Sequence, residues 1–439
     1  MGLFVSIFLL VVALLVYCSA KKVYHPVFLI CILYGVILFF ESFHLYEMYS
    51  SKERTYLIIL VGVLAFCFWA LIASRIKLKW TRDSEKTFCR YIINYKAYTL
   101  LLIVAIMMSI FPAINNLQSI ANSELDFVMI RDNFGVYYDN HLLNLLYNYV
   151  VQPFTLSCLP ISVFSLFDDI DNREKKRNLF LTIVFISLTV IMNAGRGIIL
   201  YFATLLFLTY KMETQNDKGD ILRIAKKRKY KRIVGGIFLV AIVAYIVITK
   251  VRGANSNSIV LRQIYVYLCG CIPHLDYRID QIQSANICLY GMGGFHGLFE
   301  FIFTMLENFG IMTYPTIMTL SDTCYTNTLA SIYIGPRMTF NAYTTMFYNC
   351  YLDGGIIAII IEMSIYGFVC GTLYKKSITD PENLRCKLVL LFLLYGLCFS
   401  FIRFQFALSS YWIGILFLIL LTNRVDSEKG RFLGESNSN

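Results

Sequence analysis

The chain is short of charge. Of its 439 residues only 15% are Asp, Glu, Lys or Arg, where a soluble domain carries about a quarter. Hydrophobic residues make up 58%. This balance excludes an ordinary soluble fold and implies a polytopic membrane protein. The apolar runs are continuous rather than alternating, which argues against a transmembrane β-barrel. Histidine is scarce at five residues, and the thirteen cysteines show neither a Cys-x-x-Cys pair nor a Cys/His spacing suited to zinc. No metal site or cofactor is expected. A nucleophile elbow is also lacking. The glycine cluster Gly291-Met-Gly-Gly294 follows no strand and has no Lys-Ser/Thr after it, so it is not a phosphate loop. Most cysteines, such as Cys31, Cys67 and Cys398, fall inside apolar runs and read as small buried hydrophobes. Cys269, Cys271, Cys288 and Cys324 lie between the runs and are candidates for a disulfide.

What is present is a series of apolar segments separated by charged connectors. Leu3–Ala20 precedes Lys21-Lys22 and has no basic leader, so it reads as a first span rather than a signal peptide. Val23–Phe43, Tyr56–Ser74, Ala97–Ala113 and Leu142–Phe167 follow, the last with Pro153 and Pro160 as expected kinks. Leu179–Lys211 carries Gly195-Arg196-Gly197 at its middle. One helix would bury an arginine at its centre, which is costly. Two short spans with a recessed turn at Asn193–Gly197 are preferred, with Arg196 pointing into the bundle or a polar cavity. Ile233–Thr249, Gly355–Leu373, Leu388–Phe404 and Gln405–Leu421 complete about eleven spans. The expected fold is therefore an all-α polytopic membrane protein. Spans fill 1–250 and 344–422, one large helical loop fills 251–343, and a polar, disordered tail fills 423–439. Leu298–Phe309 and Ile311–Leu320 are apolar, but Glu300, Glu307 and Pro315 interrupt them; they read as interfacial or re-entrant.

Eleven spans place alternate connectors on the same side. One side collects 29 of the 39 Lys and Arg residues and the other 10. The positive-inside rule makes the first side cytoplasmic. The N-terminus and the 251–343 loop then face outward, and the tail faces the cytoplasm. The basic connectors, and with them the net charge of +11, are explained as topology determinants; no nucleic-acid partner is needed.

The few outward cations are mostly arginines: Arg131, Arg196, Arg252, Arg262, Arg278, Arg337 and Arg403. Arginine recognises phosphate through a bidentate fork. Arg278, between Asp276 and Asp280, also reads as a surface ion pair, and Arg403 as the cap of a tight hairpin. His274 and His296 are either structural or catalytic. The loop tyrosines, Tyr267 among them, fit an interfacial belt or a sugar-stacking surface.

The run Phe340-Asn341-Ala-Tyr-Thr-Thr-Met-Phe-Tyr-Asn-Cys-Tyr-Leu-Asp353-Gly-Gly355-Ile-Ile resembles the end of the large outer loop in Wzy-type oligosaccharide repeat-unit polymerases, the O-antigen polymerases. Asn193-Ala-Gly-Arg196-Gly197 is similar to that family's Gly-x-Arg-Gly hairpin. A pair of Arg-x10-Gly motifs is not evident; Arg403 and Gly414 have the spacing but run into a span. The resemblance implies a GT-C-like glycosyltransferase architecture in a bacterial cytoplasmic membrane. It also implies inverting, metal-independent transfer of a growing glycan from undecaprenyl pyrophosphate to the non-reducing end of a fresh lipid-linked unit. The implied partners are those lipid-linked oligosaccharides, the bilayer, and a chain-length regulator and flippase of the same pathway. Arg196 with Arg252 or Arg262 would bind pyrophosphate, and Arg337 and Asn341 would line the same cavity. Asp353 would orient the helix entry or an acceptor hydroxyl. The base is open between His296, an acid such as Asp353, and none. An O-antigen ligase, a transporter or flippase, and a non-catalytic membrane protein are the competing classes. The ligase usually carries His-Asn where this chain has Phe340-Asn341.

Overall fold

The structure, a computed structural model, describes residues 1–76, 90–121, 138, 140–167, 173–193, 197–215, 235–236, 257–341 and 343–425. It is mostly helical. The helices are α1 (Gly2–Ala20), α2 (Pro26–Glu41), α3 (Glu53–Arg75), α4 (Tyr95–Ala121), α5 (His141–Phe167), α6 (Arg173–Asn193) and α7 (Gly197–Gln215). Then come α8 (Asn257–Cys269), α9 (Cys271–Ala285), α10 (His296–Asn308), α11 (Thr316–Thr328), α12 (Met346–Leu352), α13 (Gly355–Thr379), α14 (Leu384–Cys398) and α15 (Ser409–Leu420). Among the described residues six of them, α1, α3, α4, α5, α6 and α13, are long and apolar enough to cross a membrane, while α2 and α15 are shorter apolar helices. A multi-pass membrane protein follows, because in lipid a helix satisfies every backbone polar group internally.

Several expectations change in detail. The fold is not wholly helical. Strand β1 (Arg90–Ile93) pairs antiparallel with β4 (Thr422–Val425), and β2 (Ile332–Gly335) with β3 (Met338–Phe340). The start of the expected disordered tail is therefore ordered by pairing; 426–439 lie outside the described residues. The 179–211 region is two helices, as preferred, but they are 21 and 19 residues long because each extends into its polar flank. The turn between them, 194–196, lies outside the described residues. In α5 the irregularity falls at a π turn, Tyr147–Val151, rather than at a kink on Pro160. Pro153 lacks the N–H that would continue the ladder, and widening the preceding turn accommodates it. The 298–320 region is split between α10 and α11, 13 residues each, and so about 20 Å long. Neither crosses a bilayer alone. The expected span 233–249 lies outside the described residues except Gly235 and Gly236.

The chain divides into two compact units. The first comprises Met1–Arg75, Gly253–Thr372 and Leu393–Trp412. Here α13 lies directly on α3: a Cβ at Gly367 would stand 2.3 Å from the Phe66 carbonyl oxygen, and one at Gly371 2.3 Å from that of Ala70. The Gly-x-x-x-Gly spacing keeps both contacts on one face, so the two backbones touch. The connection between α2 and α3 carries the 257–343 stretch. Tyr49 N–H donates to Ile334 O of β2 at 2.8 Å. Tyr265 of α8 accepts from Leu45 N–H at 3.1 Å and donates to Phe40 O at 3.2 Å. Met48 joins Tyr265, Cys269, Ile334, Met338 and Phe340 in a buried cluster. Lys52 reaches Asp280 of α9 at 2.7 Å, Arg54 bonds the same carboxylate, and Thr55 donates to Asp276 at 2.5 Å.

The second unit comprises Ile76–Arg252, Leu373–Phe392 and Ile413–Asn439. Its helices α4, α5 and α6 meet at Tyr98, whose hydroxyl contacts Ser162 and Thr182 at 2.9 Å each. At one end several connectors converge. Lys375 donates to Ile76 O at 2.5 Å, Lys387 pairs with Glu213 at 2.9 Å, and Arg385 bonds Thr422 and stacks over Tyr91 at 4.4 Å.

Candidate functional site

The segment that carries the family resemblance forms the junction between the 257–343 stretch and α13. Thr344 N–H donates to Ile402 O at 3.2 Å and Met346 N–H to Ser400 O at 2.7 Å. Thr345 bridges to Arg403 and is fully buried at φ 64°, ψ 164°. A β-branched residue rarely adopts positive φ, and the strain costs about 1–3 kcal/mol. The surrounding pairing and the bond from Phe347 N–H to Thr345 Oγ1, at 3.3 Å, hold it there. This ties Arg403 to a fixed backbone. Its Nη1 donates to Tyr325 Oη at 2.6 Å, and the guanidinium lies 5.1 Å from the Tyr325 ring centroid. Arg403 thus docks on α11 rather than simply capping a hairpin.

Asp353 closes α12 and is buried. Its carboxylate accepts the backbone N–H groups of Gly293 at 2.7 Å and Gly294 at 2.6 Å. Asn349 Nδ2 donates to Gly293 O at 3.5 Å. Glu362 of α13 presses from the other side: a Cβ on Gly294 would fall 1.9 Å from Glu362 Oε2, so any larger residue there displaces the Glu362 carboxyl. Of the two roles expected for Asp353, the geometry matches orienting the helix entry. Its oxygens are already engaged with backbone, which does not suit an acceptor-hydroxyl role.

Two residues past this turn, His296 opens α10 and is 8% exposed. Its Nε2 lies 2.9 Å from Asp322 Oδ1 on α11. Tyr314 Oη donates to the other Asp322 oxygen at 3.1 Å. Ser321 Oγ, next along α11, donates to Met292 O at 2.8 Å and seats the helix on the glycine turn. Burial pushes the His296 imidazole down to about 4. Burial also raises the Asp322 carboxyl, with the Tyr314 bond opposing it. At neutral pH a neutral imidazole faces a carboxylate. The His296 ring is enclosed, but the Asp322 side chain is 48% exposed. Asp322 and Tyr325 are three residues apart and so lie on neighbouring positions of one helix face. The His296–Asp322 pair and the Arg403–Tyr325 pair therefore sit about one turn apart along α11.

Arg278 is not a surface ion pair. It is 3% exposed, and its Nε donates to His274 Nε2 at 2.9 Å. Its Nη1 donates to Gln281 at 2.7 Å and its Nη2 to Ala330 O at 3.1 Å. Asp276 and Asp280 are instead taken by the residues around Arg54. Because arginine can only donate, His274 Nε2 is unprotonated and Nδ1–H donates to Tyr343 O at 2.9 Å. Burial, with the Arg278 charge, pushes His274 down to about 4. This histidine is structural.

The remaining expected residues cluster at the β2–β3 hairpin. Arg262 of α8 donates through Nη2 to Arg337 O at 2.9 Å, which brings these two residues together. Arg337 and Asn341 are exposed. Tyr267 is half-buried, its ring 5.8 Å from that of Tyr343. Arg196 and Arg252 lie outside the described residues, as does Arg131. Cys269, Cys271, Cys288 and Cys324, the candidates for a disulfide, are all free thiols and are not paired with one another. Cys269 contacts Ile37 O at 3.8 Å, and Cys288 contacts Asp353 O at 3.4 Å. Among the described residues no group of three or more His, Cys, Asp or Glu could hold a metal.

Asp322, Tyr314 and Tyr325 were not singled out by motif. One signal was available: Asp322 is the only acid between Glu307 and Asp353. Comparison with protein families, curated proteins and solved structures finds no match.

Proposed function

We propose that the chain is a polymerase of lipid-linked oligosaccharide repeat units, working at the outer face of a bacterial cytoplasmic membrane. It would transfer the growing glycan from undecaprenyl pyrophosphate to the non-reducing end of a new lipid-linked unit, for an O-antigen, capsule or exopolysaccharide. The observation that carries this reading is the junction around Thr345. The segment resembling the polymerases pairs with Ser400–Arg403, and so places an arginine on a tyrosine ring beside a half-exposed aspartate–histidine pair. Arginine, an aromatic face and a carboxylate are the groups that a sugar pyrophosphate donor and a hydroxyl acceptor need. Guanidinium groups in a low-dielectric cavity stabilise the charge that develops as pyrophosphate leaves.

The topology has independent support. Connectors counted on the outward side, around Lys52 and Arg54, meet the 257–343 stretch. Connectors counted on the cytoplasmic side, around Ile76, Glu213, Lys375–Lys387 and Thr422, meet one another. We place the N-terminus outside and the tail inside. Arg262, Arg337, Asn341 and Tyr267 are assigned to the vestibule wall, and Arg196 and Arg252 to pyrophosphate.

Deleting the gene and resolving the surface glycan by size tests the proposal. A polymerase deletion leaves single capped repeats, whereas a ligase deletion leaves none. A normal ladder would refute both.

A further inference from the structure

Asp322 has the geometry of a positioned proton acceptor. One oxygen lies 2.9 Å from His296 Nε2, outside hydrogen-bond geometry, and the other accepts Tyr314 Oη at 3.1 Å, which anchors the carboxylate. The enclosed imidazole is itself out of reach of a large substrate, but nearly half of the Asp322 side chain is open. Arg403, held on Tyr325 one turn further along α11, supplies a cation for an anionic group beside it. The titratable groups in contact with the carboxylate among the described residues are His296 of α10 and Tyr314 of the α10–α11 connection; Glu300 follows His296 by four residues on α10, and Arg403 is held at Tyr325, three residues on along α11. Burial raises Asp322, which brings its basicity closer to that required of a general base.

We propose that Asp322 is the catalytic base that takes the proton of the acceptor sugar hydroxyl, with His296 and Tyr314 as positioning residues and Arg403 facing the pyrophosphate. The inference rests on the polymerase reading. The acceptor oxygen attacks C1 of the donor glycan, and the C1–O bond to pyrophosphate breaks. The bonding pair leaves with the pyrophosphate, and the hydroxyl proton passes to Asp322 and then to water. His296 remains neutral beside the carboxylate, and Tyr314 holds it in place.

The test uses the full-length protein in liposomes, with lipid-pyrophosphate-linked repeat units extracted from a strain lacking the gene. Asp322→Asn should lower kcat by about 100-fold or more, with KM changed less than about threefold. Tyr314→Phe removes a donor from the carboxylate and should move the acid limb of the kcat–pH profile to higher pH. His296→Gln, which keeps a polar side chain packed against Asp322, should retain more activity than His296→Ala. No polymer from the wild-type protein would overturn the polymerase reading and this proposal with it. Polymer from wild type, together with an unchanged kcat in Asp322→Asn, would overturn the proposal alone. If Asp322→Asn fails to fold, an acid limb unmoved in Tyr314→Phe is the overturning result.

Discussion

Asp353 and Asp322 stand in the same unit of the chain, and they are built for different work. Asp353 is buried against the Glu362 side chain and accepts the backbone N–H groups of Gly293 and Gly294. Asp322 accepts a side-chain donor, Tyr314, lies 2.9 Å from His296 Nε2, and has an open flank. Backbone donors tie a carboxylate to the path of the chain. Side-chain donors tie it to groups whose protonation and position can respond to a ligand. The aspartate inside the recognisable motif is thus the one that shapes the fold, and the candidate for chemistry lies outside the motif.

The largest expected effect that would break this contrast is at the cation. Arg403→Ala should reduce glycan chain growth by about 100-fold or more, with normal protein level in the membrane, since single charge-stabilising groups contribute that much. A wild-type ladder in that variant would remove Arg403 from the site. Next comes Gly294→Ala. The added methyl would displace the buried Glu362 carboxyl, and the rearrangement should cost about 1–2 kcal/mol, read as a lower melting temperature in detergent. Asp353→Asn should cost about 2 kcal/mol through its charged hydrogen bonds, while the protein that still folds makes normal-length chains. Lost polymerisation at an unchanged melting temperature would erase the distinction between the two aspartates.

The acid response sharpens the comparison further. His274 falls to about 4 when folded, against an ordinary value of 6.5. The unfolded chain therefore binds the extra proton first. The stability it contributes is complete above about 6.5 and is lost as pH falls towards 4. Cysteine accessibility at Cys271 and Cys324 should rise across that window, and less so in His274→Gln. The smallest effect is at the rim. Lys52→Ala should cost less than about 1 kcal/mol, because the pair with Asp280 is solvent-exposed on both sides.

Much of the scaffold was legible because it depends on local pattern. Long apolar runs mark α1, α3, α4 and α13, and the break at Asn193–Gly197 marks the end of α6 and the start of α7. Helix length was not, because α6 and α7 recruit charged or polar flanks that hydropathy assigns to connectors. Within the candidate site, the pairing of Arg262 with Arg337 joins two expected residues. The partners of His296 and Arg403 were hidden for another reason: both lie on α11, an unremarkable polar helix, and pairing at a distance leaves no local spacing to read. Arg278 failed in the opposite sense. Its sequence neighbours Asp276 and Asp280 invited an ion pair, but one helix face turns the acids to Arg54 and the arginine inward to His274.

The contact of Gly367 and Gly371 with the backbone of α3 also bears on how the protein is made. Helix α3 emerges from the ribosome early, and its partner α13 only after the whole 257–343 stretch has been synthesised. Until α13 arrives, nothing anchors Asp353 or Glu362, and the glycine turn has no carboxylate to receive it. The stretch is therefore complete before it has its seat. Chains truncated before Gly355 would be expected to offer it to proteases, while full-length chains lock it in one late docking step.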